Sequence, residues 1–228
     1  MKSQKITKVE KRWYDDACGA ALGMEFVGER WALLIMRELL LGPRRFGELR
    51  AGLPGLSANI LSQRLASLEE SGIIRRHRLP SPANVQVYEL TAWGRESEPV
   101  ILALARWALR SPMHDPSLPF SAVSLLLSLR TLLVRERAGD WQALVGIRIG
   151  EETFTAQLEQ GELKVARGPI EAAEAVLTGT PSAFLPVIYG PMPLAAAEAA
   201  EMLRIEGNRA VAERFVTLFA LPDKVAVE

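Results

Sequence analysis

The sequence predicts a two-domain chain: a mainly α front half that includes a β-hairpin, then an α+β back half with a mostly antiparallel sheet. Three observations carry this. Apolar residues recur at helical spacing through residues 15–70 and alternate with period two at 73–91 and again at 143–165. Between the halves lies MHDPSLP at residues 113–119, a stiff proline-rich run that follows Pro112. With 228 residues, 49% hydrophobic and 24% charged, the chain has apolar material for two modest cores. The expected division is residues 1–111, a linker at 112–119, and residues 120–228.

Residues 1–12 hold four lysines and an arginine without apolar periodicity, and read as a frayed tail or as a basic arm against phosphate. Residues 15–27, DDACGAALGMEFV, read as a short helix capped by Asp15 or Asp16. Residues 30–41, RWALLIMRELLL, are apolar around most of the circumference, which suits a central core helix stopped by Gly42-Pro43. Residues 44–52 form a further short helix with Phe46 and Leu49 inward. After Leu53-Pro54-Gly55 comes the stretch that organises this half. Ser57 is suited to cap a helix, Gly72 to end it, and Leu61, Leu65 and Leu68 make one buried stripe. The opposite face carries Asn59, Ser62, Gln63 and Ser67, polar groups of the kind that read base edges in a major groove. Three short helices with tight turns, the last polar outside, predict a helix-turn-helix.

Residues 73–79 and 85–91 then read as a hairpin through Pro80-Ser81-Pro82-Ala83-Asn84. Arg75, Arg76, His77 and Arg78 on its first strand make it a basic wing after a recognition helix, with Arg76 and Arg78 as phosphate contacts. Residues 94–109 return to helix. Val100, Leu104 and Trp107 share one stripe there, which is expected to pack against a partner.

Charge follows the same division. Residues 1–115 hold 17 basic and 13 acidic residues, residues 116–228 hold 10 and 14, and residues 30–78 alone carry a net +5. Contact with a polyanion is thus expected in the front half.

The run GERWALLIMRELLLGPRRFGELRAGLPGLSANILSQRLASLEESGIIRR, with VYELTAWGRESEPVILALARW, resembles the HxlR-type winged-helix regulators, relatives of the multiple-antibiotic-resistance regulators. The resemblance covers about residues 14–110. It implies a homodimer formed by helices outside the helix-turn-helix and a pseudo-palindromic operator in double-stranded DNA. By position it places Ser57, Asn59, Ser62 and Gln63 on the recognition face and Arg44 and Arg45 in a backbone-clamping element. Cys18 sits where many members carry a cysteine.

In the back half, residues 120–137 read as a largely buried helix, followed by strands. Val145, Ile147 and Ile149 fall on one face of the first, and Phe154, Ala156 and Leu158 on one face of the second; Leu163 and Val165 continue the alternation. Residues 174–180 read as another strand, 181–189 and 193–201 as helices, 203–206 as a short strand and 208–220 as a closing helix. TGTPSAFLPVIYG and LRIEGNRAVAERFVTLF resemble the sterol-carrier-protein fold, which implies an apolar cavity between sheet and helices. Val145, Ile147, Phe154, Leu158, Phe184, Ile188, Phe215 and Phe219 would line it, around a lipid-like or aromatic ligand. The same residues equally suit a filled core.

No Gly-rich phosphate loop, nucleophile–base order or metal-ligand cluster is present, so neither enzyme activity nor a cofactor is expected beyond an apolar small-molecule effector. GEE at 150–152 reads as a solvated turn without a partner. Cys18, the one cysteine, is either a small packed residue or a sensor thiol activated by nearby cations such as Arg12. Without an apolar run near membrane length or a signal-peptide core, a cytoplasmic protein without membrane insertion is expected. The sequence therefore predicts a dimeric DNA-binding transcriptional regulator modulated by an apolar ligand. The alternative is a lipid carrier whose winged helix serves protein association.

Overall fold

The computed structural model describes residues 14–226; the basic run at residues 1–12, with its arm, lies outside the described residues. The front half contains α1 (Gly19–Val27), α2 (Ala32–Leu39), α3 (Phe46–Gly52), α4 (Ala58–Glu70), the hairpin β1 (Ile74–Arg78) and β2 (Gln86–Leu90), α5 (Ala92–Arg95) and α6 (Glu98–Ala108). Its core gathers Ile35, Met36 and Leu39 of α2, Leu49 of α3, Leu61, Leu65 and Leu68 of α4, and Ile74, Tyr88 and Leu90 of the hairpin. This is a winged helix, as the sequence pattern predicts.

Local chemistry sets each boundary. α1 starts at Gly19, later than residue 15, because Asp16 folds back as an Asx turn, its carboxylate accepting from the Cys18 N–H at 2.9 Å. α2 starts at Ala32 because Trp31 lies in the left-handed region, φ +82°, an uncommon place for a bulky residue. The 94–109 helix is divided: Thr91 caps α5 by accepting from Gly94 N–H, and Pro99 stands in the first turn of α6, where its missing N–H costs nothing. α4 ends as a Schellman motif. The Gly72 and Ile73 N–H groups donate to the Glu69 and Leu68 carbonyls, both at 3.0 Å, with Gly72 at φ +73°.

The back half contains α7 (Ala122–Leu132), α8 (Arg135–Ala138), β3 (Ala143–Ile149), β4 (Glu152–Glu159), β5 (Glu162–Arg167), β6 (Ala175–Gly179), α9 (Pro181–Ile188), α10 (Leu194–Ala199), β7 (Leu203–Gly207) and α11 (Arg209–Val216). The sheet order is β5-β4-β3-β6-β7; only β3 and β6 run parallel, and the other neighbours are antiparallel. β3, β4 and β5 form the meander that their alternation predicts, and helices cover the apolar face. The expected 120–137 helix breaks after Leu132. There Leu133 forms a bridge with Phe219, and Val134 donates to the Leu218 carbonyl at 2.8 Å. The same pairing ends α11 at Val216 and leaves Phe219 beyond it, not on the helix. Gly207 joins β7 to α11 at φ +83°; a side chain there would sit 2.5 Å from the Glu174 carbonyl oxygen, so glycine is required.

α7 ties the two cores together. Val123, Ser124, Leu125, Leu126, Leu127, Leu129 and Leu132 are all buried, because α7 meets the sheet on one side and α2 and α6 on the other. Ser121 caps α7 and also donates to buried Glu38 of α2 at 2.7 Å. Arg130 of α7 pairs with Glu98 at the start of α6, and Arg106 of α6 donates to the Thr131 carbonyl at 2.8 Å. At the chain's end, Lys224 Nζ donates to the Leu109 and Ser111 carbonyls, at 2.9 and 3.0 Å, where α6 runs out. No helix among the described residues is long and apolar enough to cross a membrane.

Phe184, fully buried in the larger core, tests this packing. Phe184→Ala should lower unfolding stability by about 3–5 kcal/mol, read as a reduced urea midpoint with unchanged slope.

Candidate nucleic-acid interface

α4 presents the polar face that its sequence predicts. Asn59, Ser62 and Gln63 are exposed at i, i+3 and i+4, while Leu61, Leu65 and Leu68 hold the helix to the core. Ser57 is the N-cap, its hydroxyl oxygen accepting from Ile60 N–H at 3.3 Å, so its first role is to fix where α4 begins. Arg64, on the same helix, is drawn back to Glu29 at 2.7 Å and to the Arg30 carbonyl, which pins the turn before α2.

The wing arginines divide by partner. Arg75 lies opposite Glu89 in the hairpin register and pairs with it at 2.7 Å; Arg95 and His77 also face that carboxylate. Burial works to raise the Glu89 carboxyl pKa, but Arg75, Arg95 and His77 outweigh it and hold the group below the ordinary carboxylate range. Arg76 stays half exposed with a loose 3.8 Å contact to Glu69 of α4. Arg78 donates to the backbone and side-chain oxygens of Asn84, at 3.3 and 3.2 Å, and so braces the wing loop.

Arg44 and Arg45, adjacent in sequence, go opposite ways. Arg45 is the N-cap residue of α3, its backbone N–H donating to the Glu48 carboxylate at 2.8 Å, while its exposed guanidinium comes no nearer to Glu48 than 4.0 Å. The Arg44 side chain is 10% exposed and is gripped bidentately by Glu152 at the start of β4. It is therefore not open to a phosphate in this arrangement, unlike the clamp that the family resemblance implies. The expectation for GEE also fails: Glu151 is exposed, but Glu152 accepts from Arg44 and from Arg167, the latter at 2.9 Å. Burial pushes the Glu152 carboxyl up, and the two guanidinium groups override it to a net lowering. Sequence reasoning missed this centre because Arg44 and Glu152 are 108 residues apart; no local pattern joins them.

Cys18 stands exposed at the N-cap of α1, not packed within a helix. The backbone N–H groups of Ala20 and Ala21 favour its thiolate and lower its pKa, although the thiol makes no capping hydrogen bond in the present geometry. Arg12 lies outside the described residues.

The eight residues proposed to line a cavity, Val145, Ile147, Phe154, Leu158, Phe184, Ile188, Phe215 and Phe219, are 0–5% exposed within one continuous packed cluster. Open space lies beside them. A cleft of about 720 Å³ between α9, α10 and α11 touches Ile188 and Phe219, with Val187, Leu194, Val216 and Leu221. A second, about 620 Å³, lies between α6, α7 and the β4–β5 turn and touches none of the eight. Apolar residues also stand exposed on α6: Val100 at 61%, Leu104 at 44% and Trp107 at 72%.

A winged helix whose α4 turns a polar face outward, built onto a mostly antiparallel α+β unit of sterol-carrier type, defines a helix-turn-helix protein with an added second domain. The chain belongs to the HxlR-like helix-turn-helix family, which matches residues 26–115, and the SCP-2 sterol transfer family matches residues 126–220. Its relatives include the HTH-type transcriptional regulator YvaP of Bacillus subtilis, 37% identical over 95 residues that make up 41% of this chain and 85% of YvaP. YodB of the same organism, another HTH-type transcriptional regulator, is 35% identical over 36% of this chain and 73% of its own length. The HTH-type regulator Rv3095 of Mycobacterium tuberculosis is 39% identical over 45% of this chain and 63% of its own. Among solved structures, reduced YodB from B. subtilis is 30% identical, covering 44% of this chain and 100% of that one at a TM-score of 0.39.

Cys18 gives a direct chemical test. Because its folded pKa is lowered, the thiolate persists to lower pH than in an ordinary thiol. The rate of iodoacetamide labelling in the native protein should therefore show a midpoint below that of the urea-unfolded chain; equal midpoints would mean that the α1 amides do not act on it.

Proposed function

We propose that the protein is a homodimeric, sequence-specific DNA-binding transcriptional regulator whose second unit takes an apolar small molecule. The observation that carries this is the outward polar face of α4, with Asn59, Ser62 and Gln63 exposed beside the wing. Asn59 and Gln63 carry amides suited to paired hydrogen bonds with base edges; Ser57, Ser62, Arg45, Arg76 and Arg78 add backbone and sugar-phosphate contacts that set register. Its relatives' role as transcriptional regulators supports the reading. A two-fold dimer presents two such helices to a pseudo-palindromic site.

The exposed Val100, Leu104 and Trp107 stripe supplies an apolar face for that dimer. An apolar ligand, lipid-like or aromatic, enters the cleft between α9, α10 and α11 and acts by favouring one spacing of the recognition helices. The residues up to 111 then form the DNA-binding and dimerisation unit and those from 120 the ligand unit, within the cytoplasm. Cys18 is a second, electrophile-responsive input.

Two measurements test this. Asn59→Ala and Gln63→Ala should each cost roughly 1–3 kcal/mol in discrimination between the operator, found by selection from genomic fragments, and random DNA. Non-specific affinity should stay nearly unchanged. Leu104→Glu with Trp107→Glu should convert the dimer to a monomer in sedimentation; a variant that remains dimeric removes α6 from the interface.

A further inference from the structure

We propose that Glu152 competes with DNA phosphate for Arg44, so that the second unit sets the affinity of the DNA-binding face through one side chain. The inference rests on the DNA-binding reading above and names a regulation of that same face.

The backbone of Arg44 is locked. Its N–H donates to the Tyr88 carbonyl at 2.9 Å and its carbonyl accepts from Tyr88 N–H at 2.8 Å, which adds a third short segment to the wing sheet. The side chain thus springs from a fixed point between the wing and the first turn of α3, next to exposed Arg45. Only its rotamers are free to change. In the present structure they direct the guanidinium to Glu152, with Glu48 a further 4.0 Å contact. A carboxylate holding an arginine in two parallel hydrogen bonds makes the same contact that a phosphate would make.

Breaking a part-buried ion pair ordinarily leaves a stranded charge, and that cost keeps such pairs shut. Here it does not arise. Arg167, at the end of β5, already donates to Glu152, and its Nε and Nη2 are buried without a hydrogen-bond partner. Its guanidinium is steadied over the Phe154 ring at 4.6 Å. When Arg44 turns away, Arg167 remains as counter-charge and has donors to spare. Two arginines share one carboxylate, so one of them can be released. Other contacts between the units, among them Glu38 with Ser121, Arg130 with Glu98, Arg106 with the Thr131 carbonyl and Lys224 with the end of α6, are untouched by that rotation.

The test uses the full-length protein and a labelled DNA duplex of random sequence, whose binding rests on phosphate contacts and needs no known operator. Affinity is measured across a salt series. Glu152→Gln should tighten binding by up to about 8-fold near 0.1 M salt and steepen the log K against log[salt] slope by about 0.9 for each Arg44 released. Arg44→Gln should flatten the slope and should abolish the gain when combined with Glu152→Gln. Arg167→Gln, which leaves Arg44 as the only arginine on Glu152, should weaken binding and flatten the slope; it serves as the independent variant should Glu152→Gln fold poorly. A gain that survives in the double variant, or a slope unmoved by both single changes at Glu152 and Arg167, overturns the proposal. Loss of duplex binding by the unmodified protein at low salt would instead remove the DNA-binding reading itself.

Discussion

The arrangement depends on the burial of α7 from both sides. A surface helix needs one apolar stripe, but α7 is buried at seven of its eleven positions. One side closes the sheet of the second unit and the other meets α2 and α6 of the winged helix. Separating the units would expose Leu and Val side chains on α7 and leave Glu38 without the Ser121 hydroxyl. Each large aliphatic residue so exposed costs about 1.5–3 kcal/mol. The units therefore hold a fixed relation, and exchange between them is expressed in side chains before whole bodies.

Much of the front half was legible because its information is local. Ser57, Gly72 and the Leu61, Leu65, Leu68 stripe lie within sixteen residues, and capping and helical period act over that range. The β3–β5 meander was legible for the same reason, since alternation on adjacent strands fixes which face is covered. Helix ends were less so. Nothing near Leu132 in sequence says that Leu133 will bridge Phe219, and nothing at residue 30 says that Trp31 will take a positive φ. Contacts across the fold were invisible: Glu152 sits on a turn-like GEE, and its partner Arg44 comes from another core.

Charge shows the same limit. The count over residues 30–78 treats every arginine as available to a polyanion, but Arg37, Arg44, Arg64 and Arg75 are each tied to a carboxylate. Arg45 and Arg76 remain loosely held, Arg76 against Glu69 of α4. The basic character of the face thus comes from a few side chains, not from the whole excess, so the state of one arginine matters to the sum. Hydrophobic residues present a parallel case. Phe154, Phe184 and Phe215 read equally well as cavity walls or core, and their packing resolves them as core, leaving open space to the clefts at the helix ends.

α6 is where the second unit bears hardest on the first. Its start is held by Arg130 through Glu98, its last turn by Arg106 on the Thr131 carbonyl, and the carbonyls just beyond it by Lys224. Between these anchors the outward stripe of Val100, Leu104 and Trp107 is free of the chain's own core, while Ile101 faces inward. A helix fixed at both ends by one body, and offered along its length to another, moves with the first and carries the second. In the dimer proposed above, the two units of each protomer move together, so a change at the α6 seam resets the separation of the two α4 helices. Such a change can favour one operator-binding arrangement only if the ligand binds the two arrangements with different affinity. In the proposed reading the anchors are the transmission and the cleft beside α11 is the ligand's place, since Leu221 lines it three residues before Lys224.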